Sequence, residues 1–293
     1  MKGIDDMSAK FGPAGTAESF KELGYKKTLQ IGEYLEKFGL DHFEYQCGQG
    51  VRISEPAAEE LGKALAEKNI SVSVHAPYFI SLSSVEEEKR INSVNYILAS
   101  AKAVKAMGGD RIVIHSGSCS KMTREEALAL AKDTMKKARE ALVSQGLENI
   151  RCCPETMGKI NQLGNLDEVL EICTVDESFL PCIDFGHLNA RTFGSIKTKE
   201  DYAAILDKIG NKLGSSRLGE FHSHFSKIEY TEKGGEKKHL TFSDNVYGPD
   251  FEPLMELIAE RGLSPTFICE SAGTQTEDAQ TMMKYYNDFR SRI

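Results

Sequence analysis

The 293-residue chain has no CxxC pair, no surplus of basic charge, no long apolar run and no low-complexity tract. Each absence removes a class of protein. The seven cysteines (Cys47, Cys119, Cys152, Cys153, Cys173, Cys182 and Cys269) are odd in number, and several stand in apolar runs such as 267–269. They read as reduced, buried thiols rather than a disulfide framework. Lys and Arg total 36 against 44 Asp and Glu, a net charge of −8, which argues against a broad electrostatic grip on nucleic acid. Bound divalent cations, outside that count, would add positive charge at one spot. No stretch reaches the roughly 18–20 apolar residues of a membrane helix, and residues 1–15 lack the apolar core of a secretory signal. The expectation is a soluble, cytoplasmic protein with no membrane attachment, and nothing in the sequence marks a protein partner. No linker divides the chain, so one domain over 1–293 is expected.

What is present is alternation. Short apolar runs at 41–46, 70–75, 110–115, 149–155, 179–184, 217–222 and 265–270 read as strands, with a further strand near 8–11. Between them lie segments with helical spacing, at 26–38, 54–68, 86–107, 123–143, 165–173, 199–212, 251–261 and 276–291. Pro56 falls in a first helical turn, and Thr123 and Glu126 are spaced as a capping box. About eight strand–helix units imply parallel strands and an α/β fold, a (β/α)8 TIM barrel. The one long irregular stretch is 223–250, and such loops are usually functional.

Six of the strands finish in a residue able to bind a metal: His75, His115, Glu155, Asp184, His222 and Glu270. In a parallel barrel all strand C-termini face one rim, where active sites lie. Taken singly, each residue suits a structural role, as a satisfied histidine or a helix cap. Six in the same place do not. Imidazole with carboxylate suits zinc, manganese or iron, and no cysteine stands at these points. Six ligands exceed one tetrahedral zinc, so two or three ions are expected, with a carboxylate shared between two of them. A two-metal pair clamps both oxygens of a phosphoryl displacement. His187 follows Asp184 by three residues, so both can face the mouth, and His239 lies in the long loop. His224, two after His222, would share its face on a continuing strand; a place behind the ligands or toward solvent is the other reading. His42 opens a strand at the opposite end and is read as structural.

Seven segments resemble the endonuclease IV family of apurinic/apyrimidinic endonucleases, within the xylose-isomerase-like barrels: SVHAPYFISL (73–82), IVIHSG (112–117), CCPETMGK (152–159), CIDFGHLNA (182–190), FHSHFSK (221–227), KKHLTF (237–242) and ICESAG (268–273). The resemblance implies three zinc ions. His75 and His115 would share one with Glu155. Glu155, the catalytic carboxylate, would bridge to a second ion held by Asp184, His222 and Glu270, and His187 and His239 would hold a third. A metal-bound hydroxide would cleave duplex DNA 5′ to an abasic site. Tyr78 matches an aromatic that the family places at the DNA, and Arg52, the one charge in the loop 46–52, is the second candidate substrate contact. Where the family has an aspartate two residues before the loop histidine, this chain has Lys237, with Glu236 beside it. A different activity also fits the set. Sugar isomerases and epimerases of the same superfamily use one metal on two Glu, an Asp and a His, which Glu155, Asp184, His222 and Glu270 would supply, leaving His75 and His115 for substrate. A barrel that keeps its metals but only binds is a third reading.

Overall fold

A computed structural model describes residues 8–293. Ten strands alternate with eleven α-helices among these residues. The strands are β1 (Lys10–Pro13), β2 (His42–Gln46), β3 (Ser71–His75), β4 (Arg111–His115), β5 (Arg151–Glu155), β6 (Cys182–Asp184), β7 (His222–Phe225), β8 (Ile228–Thr231), β9 (Gly235–His239) and β10 (Thr266–Cys269). The helices are α1 (Glu18–Glu22), α2 (Ile31–Phe38), α3 (Glu55–Ala66), α4 (Glu87–Ala106), α5 (Arg124–Ser144), α6 (Leu166–Cys173), α7 (Phe185–Arg191), α8 (Lys199–Leu213), α9 (Ser215–Gly219), α10 (Glu252–Glu260) and α11 (Gln275–Arg290).

Eight strands pair in parallel in the order β1-β10-β7-β6-β5-β4-β3-β2. The two ends approach each other at a parallel bridge between Ala14 and Glu44, where the Gly15 amide donates to the Glu44 carbonyl at 2.9 Å. The expected TIM barrel is therefore present and nearly closed. The stretch 223–250 is more ordered than its sequence suggests. It holds β7 and an antiparallel hairpin, β8–β9, outside the barrel sheet.

The local signals for the helices act as expected. Thr123 and Glu126 cap α5 reciprocally, at 3.2 and 2.9 Å, and Pro56 sits in the first turn of α3. Asn165 and Glu168 cap α6 in the same way, and Glu168 also takes a bidentate pair from Arg124.

Period-two alternation divides the core in two. Val72, Val74, Ile112, Ile114, Ile183 and Phe267 pack outward against the helices in the main hydrophobic core. The opposite faces carry His42 and Glu44; Ser73 and His75; Arg111, Val113 and His115; Arg151, Cys153 and Glu155; Cys182 and Asp184; His222 and His224. This face is short of apolar matter, its hydrophobic cluster being only Val113, Cys153, Leu180 and Cys182. All seven cysteines are free and buried.

Strand tilt decides which of these residues reach the rim. The paired register runs His75–Val113, His115–Glu155, Glu155–Cys182, Asp184–His224 and His224–Ile268. A level path around the mouth therefore climbs two residues at every second junction, from Val113 to His115, from Cys182 to Asp184 and from Ile268 to Glu270. That climb is the shear a barrel needs to close. Asp184 pairs with His224, whereas His222 pairs with Cys182 one layer lower. The expectation that a strand over 217–222 ends in His222 is thus corrected. Residues 215–219 form α9, and His222 begins β7. The apolar look of 218–221 misleads because β7 itself, His-Ser-His-Phe, points two histidines into a polar interior.

Candidate metal centre

β6 ends in Asp184, which becomes the N-cap of α7: its Oδ1 accepts the His187 amide at 2.7 Å. The cap places His187 in the first turn of α7, buried, with Nδ1 2.9 Å from the Thr156 carbonyl and 3.1 Å from Asp184 Oδ2. The β8–β9 hairpin brings Glu236 and His239 to the same mouth. It docks on the loop after β5, where the Glu236 amide donates to the Gly158 carbonyl at 3.1 Å. Gly158 cannot be larger, because a Cβ there would lie 2.6 Å from that of Glu236.

The rim residues converge on Glu155, which is buried. His224 Nδ1 lies 3.0 Å from its Oε1 and His187 Nδ1 3.4 Å from the same oxygen. His75 Nε2 and His115 Nε2 lie 3.4 and 3.5 Å from Oε2. Among the described residues five groups of donors have ligand atoms within 4.8 Å of one another, and three of them span the mouth: His75, His115 and Glu155; Glu155, Asp184, His224 and Glu270; and His187, Glu236 and His239; the other two are His75, His224 and Glu270, and, lower in the barrel, Cys182, His222 and His224. Glu155 belongs to the first two. A divalent cation fits this donor set on physical grounds. Glu155 Oε2 and Asp184 Oδ2 are buried carboxylate oxygens that make no hydrogen bond, and such atoms are costly unless a charge answers them.

Charge accounting points the same way. The acid range of Glu155 is held well below its usual value: burial opposes ionisation, but the surrounding histidines outweigh it. Burial pushes the His75 imidazolium down too, yet hydrogen bonding and the charge of Glu155 lift it to about 9. Asp184, Glu155 and Glu236 likewise overcome burial at His187 and raise it to about 10. His115 is driven by burial down to about 4 and stays a neutral ligand.

Of the residues singled out from sequence, His75, His115, Glu155, Asp184, His187, His239 and Glu270 meet at this mouth. His222 does not. Its Nε2 is hydrogen-bonded to Glu44 Oε2 at 2.8 Å within the barrel, and His224 holds the rim position instead. Tyr78 lines the cleft of about 290 Å³ above the donors, together with Lys159 and Gln162. Arg52 does not line it. It donates to Gln49 Oε1 at 3.3 Å and faces a separate hollow with Tyr45 and Leu61. His42 is structural as expected, bonded to Ser71 and Ser73 at 2.7 and 3.0 Å. Lys237 turns away from the mouth to pair with Glu229 at 2.5 Å, so its neighbour Glu236 completes the third group.

Two residues were missed: Glu44 beneath His224, and Lys159 in the cleft. Glu44 had a signal, since His42, Glu44 and Gln46 alternate with Phe43 and Tyr45. In a barrel whose helices cover the apolar face, the polar set must look inward.

Fold and site together define a TIM barrel with a multidentate His/carboxylate centre at the catalytic rim. A family model described as "Xylose isomerase-like TIM barrel" matches residues 33–287, and the chain belongs to that family. An uncharacterized protein of Methanocaldococcus jannaschii is 34% identical over 278 residues, covering 95% of this chain and 97% of its own. A "Probable endonuclease 4" of Mycoplasma pneumoniae is 29% identical over 207 residues, 68% of each chain. Among solved structures, a D-tagatose 3-epimerase-like protein superposes with a TM-score of 0.69 at 18% identity, covering 89% of this chain and 93% of that one. Endonuclease IV from Thermus thermophilus gives 0.63 at 17%, covering 92% and 96%. At those identities the superpositions speak for the fold alone. The resemblance to endonuclease IV seen in the sequence motifs is upheld by the curated relatives. No helix among the described residues is long and apolar enough to cross a membrane.

Proposed function

We propose that this protein is a divalent-metal-dependent phosphodiesterase of the endonuclease IV type, cleaving DNA at abasic sites. The observation that carries the reading is the sharing of Glu155 between two donor groups, with a third group, His187, Glu236 and His239, beside them. Zinc suits this mix of imidazole and carboxylate, and manganese is compatible. His75, His115 and Glu155 would hold one ion, Glu155, Asp184, His224 and Glu270 a second, and His187, Glu236 and His239 a third. When bound, the ions supply Lewis acidity toward phosphoryl oxygens and acidify a water ligand. The chain's own residues do the rest. Glu155 would offer its carboxylate to two of the ions. His115, neutral through burial, needs no deprotonation to bind. Lys159 is the one lysine or arginine among the residues lining the cleft and offers a cation to a substrate phosphate. Tyr78, 60% exposed at the lip, offers a face to an unstacked base or sugar.

The alternative, a single-metal sugar epimerase, would use only the Glu155, Asp184, His224 and Glu270 group. It is favoured by that group offering two Glu, an Asp and a His by itself. It leaves His75 and His115 only substrate to hold, and a complete third group, His187, Glu236 and His239, without a task. The test is nicking of an abasic duplex by zinc-loaded protein, lost on thorough chelation and restored by metal. A loaded protein with one ion per chain, epimerising ketoses and leaving abasic DNA intact, would overturn the nuclease reading.

A further inference from the structure

Glu44 is a fully buried carboxylate with no lysine or arginine paired to it among the described residues. A charge so placed is costly unless it is paired and hydrogen-bonded. Its partners are Ser73 Oγ, which donates to Oε2 at 2.8 Å, and His222 Nε2 at 2.8 Å from the same oxygen. The other oxygen, Oε1, lies 2.9 Å from His224 Nε2 and 3.3 Å from Gln46 Nε2. His224 is therefore gripped from two sides. Nε2 faces Glu44 below, in ion-pair contact without hydrogen-bond geometry, with Cys182 close to the same ring, and Nδ1 faces Glu155 at 3.0 Å and Glu270 at 3.4 Å above.

We propose that Glu44, anchored by His222 and Ser73, is a positioning residue that sets the ring and tautomer of His224, so that Nδ1 is the atom offered to the ion at the Glu155, Asp184 and Glu270 group. This rests on the metal reading above and assigns the His222–Glu44 pair a task within it. Once an ion displaces the proton that Nδ1 directs at Glu155, the carboxylate against the far nitrogen keeps the remaining proton on Nε2 and raises the basicity of the ring, as outer partners of ligating histidines do. His222, placed among the ligands by sequence, thus acts one step removed, by holding the carboxylate that holds the ligand.

The experiment is zinc titration against a chromophoric chelator for wild type, Glu44→Gln, His224→Ala and the double variant, with folding checked by circular dichroism. Glu44→Gln should weaken one equivalent of zinc by about 10–100-fold and leave the others within a few-fold. The double variant should bind no more weakly than His224→Ala alone. Long-range 15N–1H spectra of zinc-loaded wild type should show His224 protonated at Nε2, with a mixed state in Glu44→Gln. If every equivalent is unchanged in folded Glu44→Gln, or if its loss adds in full to that of His224→Ala, the inference is overturned. Should Glu44→Gln fail to fold, Ser73→Ala keeps the charge and releases one anchor; it must weaken the same equivalent, and unchanged binding there is equally fatal. Wild type that binds no zinc would instead defeat the metal reading itself.

Discussion

The two ends of this barrel are built from similar residues and treat them differently. At the N-terminal end of the strands, charges meet their complements. Arg111 pairs with Asp110 at 3.0 Å and reaches the Glu220 carbonyl, Arg151 pairs with Glu220, and His42 is bonded at both nitrogens. At the C-terminal end four histidines crowd one carboxylate, and two buried carboxylate oxygens still lack a hydrogen bond. The closed end contributes stability, and the open end spends some of it on a site waiting for charge. Binding chemistry is thus recognised by polar groups that the protein alone does not satisfy.

That contrast breaks most visibly at Glu155. Glu155→Gln should remove the carboxylate shared by two donor groups, so phosphodiesterase activity should fall by more than about a hundredfold, beyond what losing an outer partner of a ligand costs. Metal content should fall with it, and the metal-free protein should also lose some stability at pH 7, because His75 and His187 lose a carboxylate that raises them. Arg111→Ala should do the reverse at the other end. It takes from half-exposed Asp110 its nearer partner, leaving Arg151, and opens a gap beneath Thr266, costing roughly 1 kcal/mol in urea unfolding, and leaves zinc stoichiometry unchanged. An Arg111→Ala protein that loses zinc, or a Glu155→Gln protein that keeps full activity, would erase the distinction between the ends.

Acidity sharpens the same comparison, because in the metal-free protein the imidazoles raised above their ordinary range, His75, His187 and His224, all stand at the open end. His42 and His222 sit below their ordinary range, as does His115 at the rim, the last two at about 4, chiefly through burial. The unfolded chain takes up their protons first, so their contribution is lost as pH falls from about 6.5 toward 4. His75 and His187 are raised, to about 9 and about 10. Their contribution is complete below about 6.5 and is lost as pH rises through those values. Metal-free protein should therefore be most stable near pH 6.5 in a series of urea titrations. Zinc must displace the protons on His75 and His187, so loading at pH 7 should release protons and flatten the alkaline limb. An alkaline limb that is the same with and without zinc would show that these histidines do not bind it.

Much of this was legible in the sequence, and the rest was hidden for identifiable reasons. The strands ending in His75 and His115 carry β-branched residues on the helix-facing side, and the one ending in Glu155 carries buried Cys152 and Pro154 there, so their ends could be read directly. His222 misled because sequence order carries no strand tilt; only the register, with Cys182 opposite His222 and Asp184 opposite His224, shows which histidine is level with the rim. The β8–β9 hairpin was read as loop since its residues, Gly-Glu-Lys-Lys-His in β9, lack apolar alternation. It is ordered by docking on Gly158 rather than by its own core.

The smallest expected effect tests that hairpin. A lysine at 237, where the resemblance calls for an acid, leaves two readings from sequence: Glu236 substitutes by a small shift, or the third group is weak or empty. The fold decides between them by the alternation of β9. Lys237 faces solvent and Glu229, whereas Glu236, one residue earlier, comes to 3.5 Å from His187 Nε2. Lys237→Ala should then alter zinc affinity by no more than about threefold, the scale of a screened surface charge. Glu236→Ala should release one equivalent of zinc and leave the two bound through Glu155. Competition titrations of the two variants decide it. Were Lys237→Ala to strengthen the third equivalent greatly while Glu236→Ala left it intact, the lysine would be obstructing that site and the hairpin would not be supplying its acid.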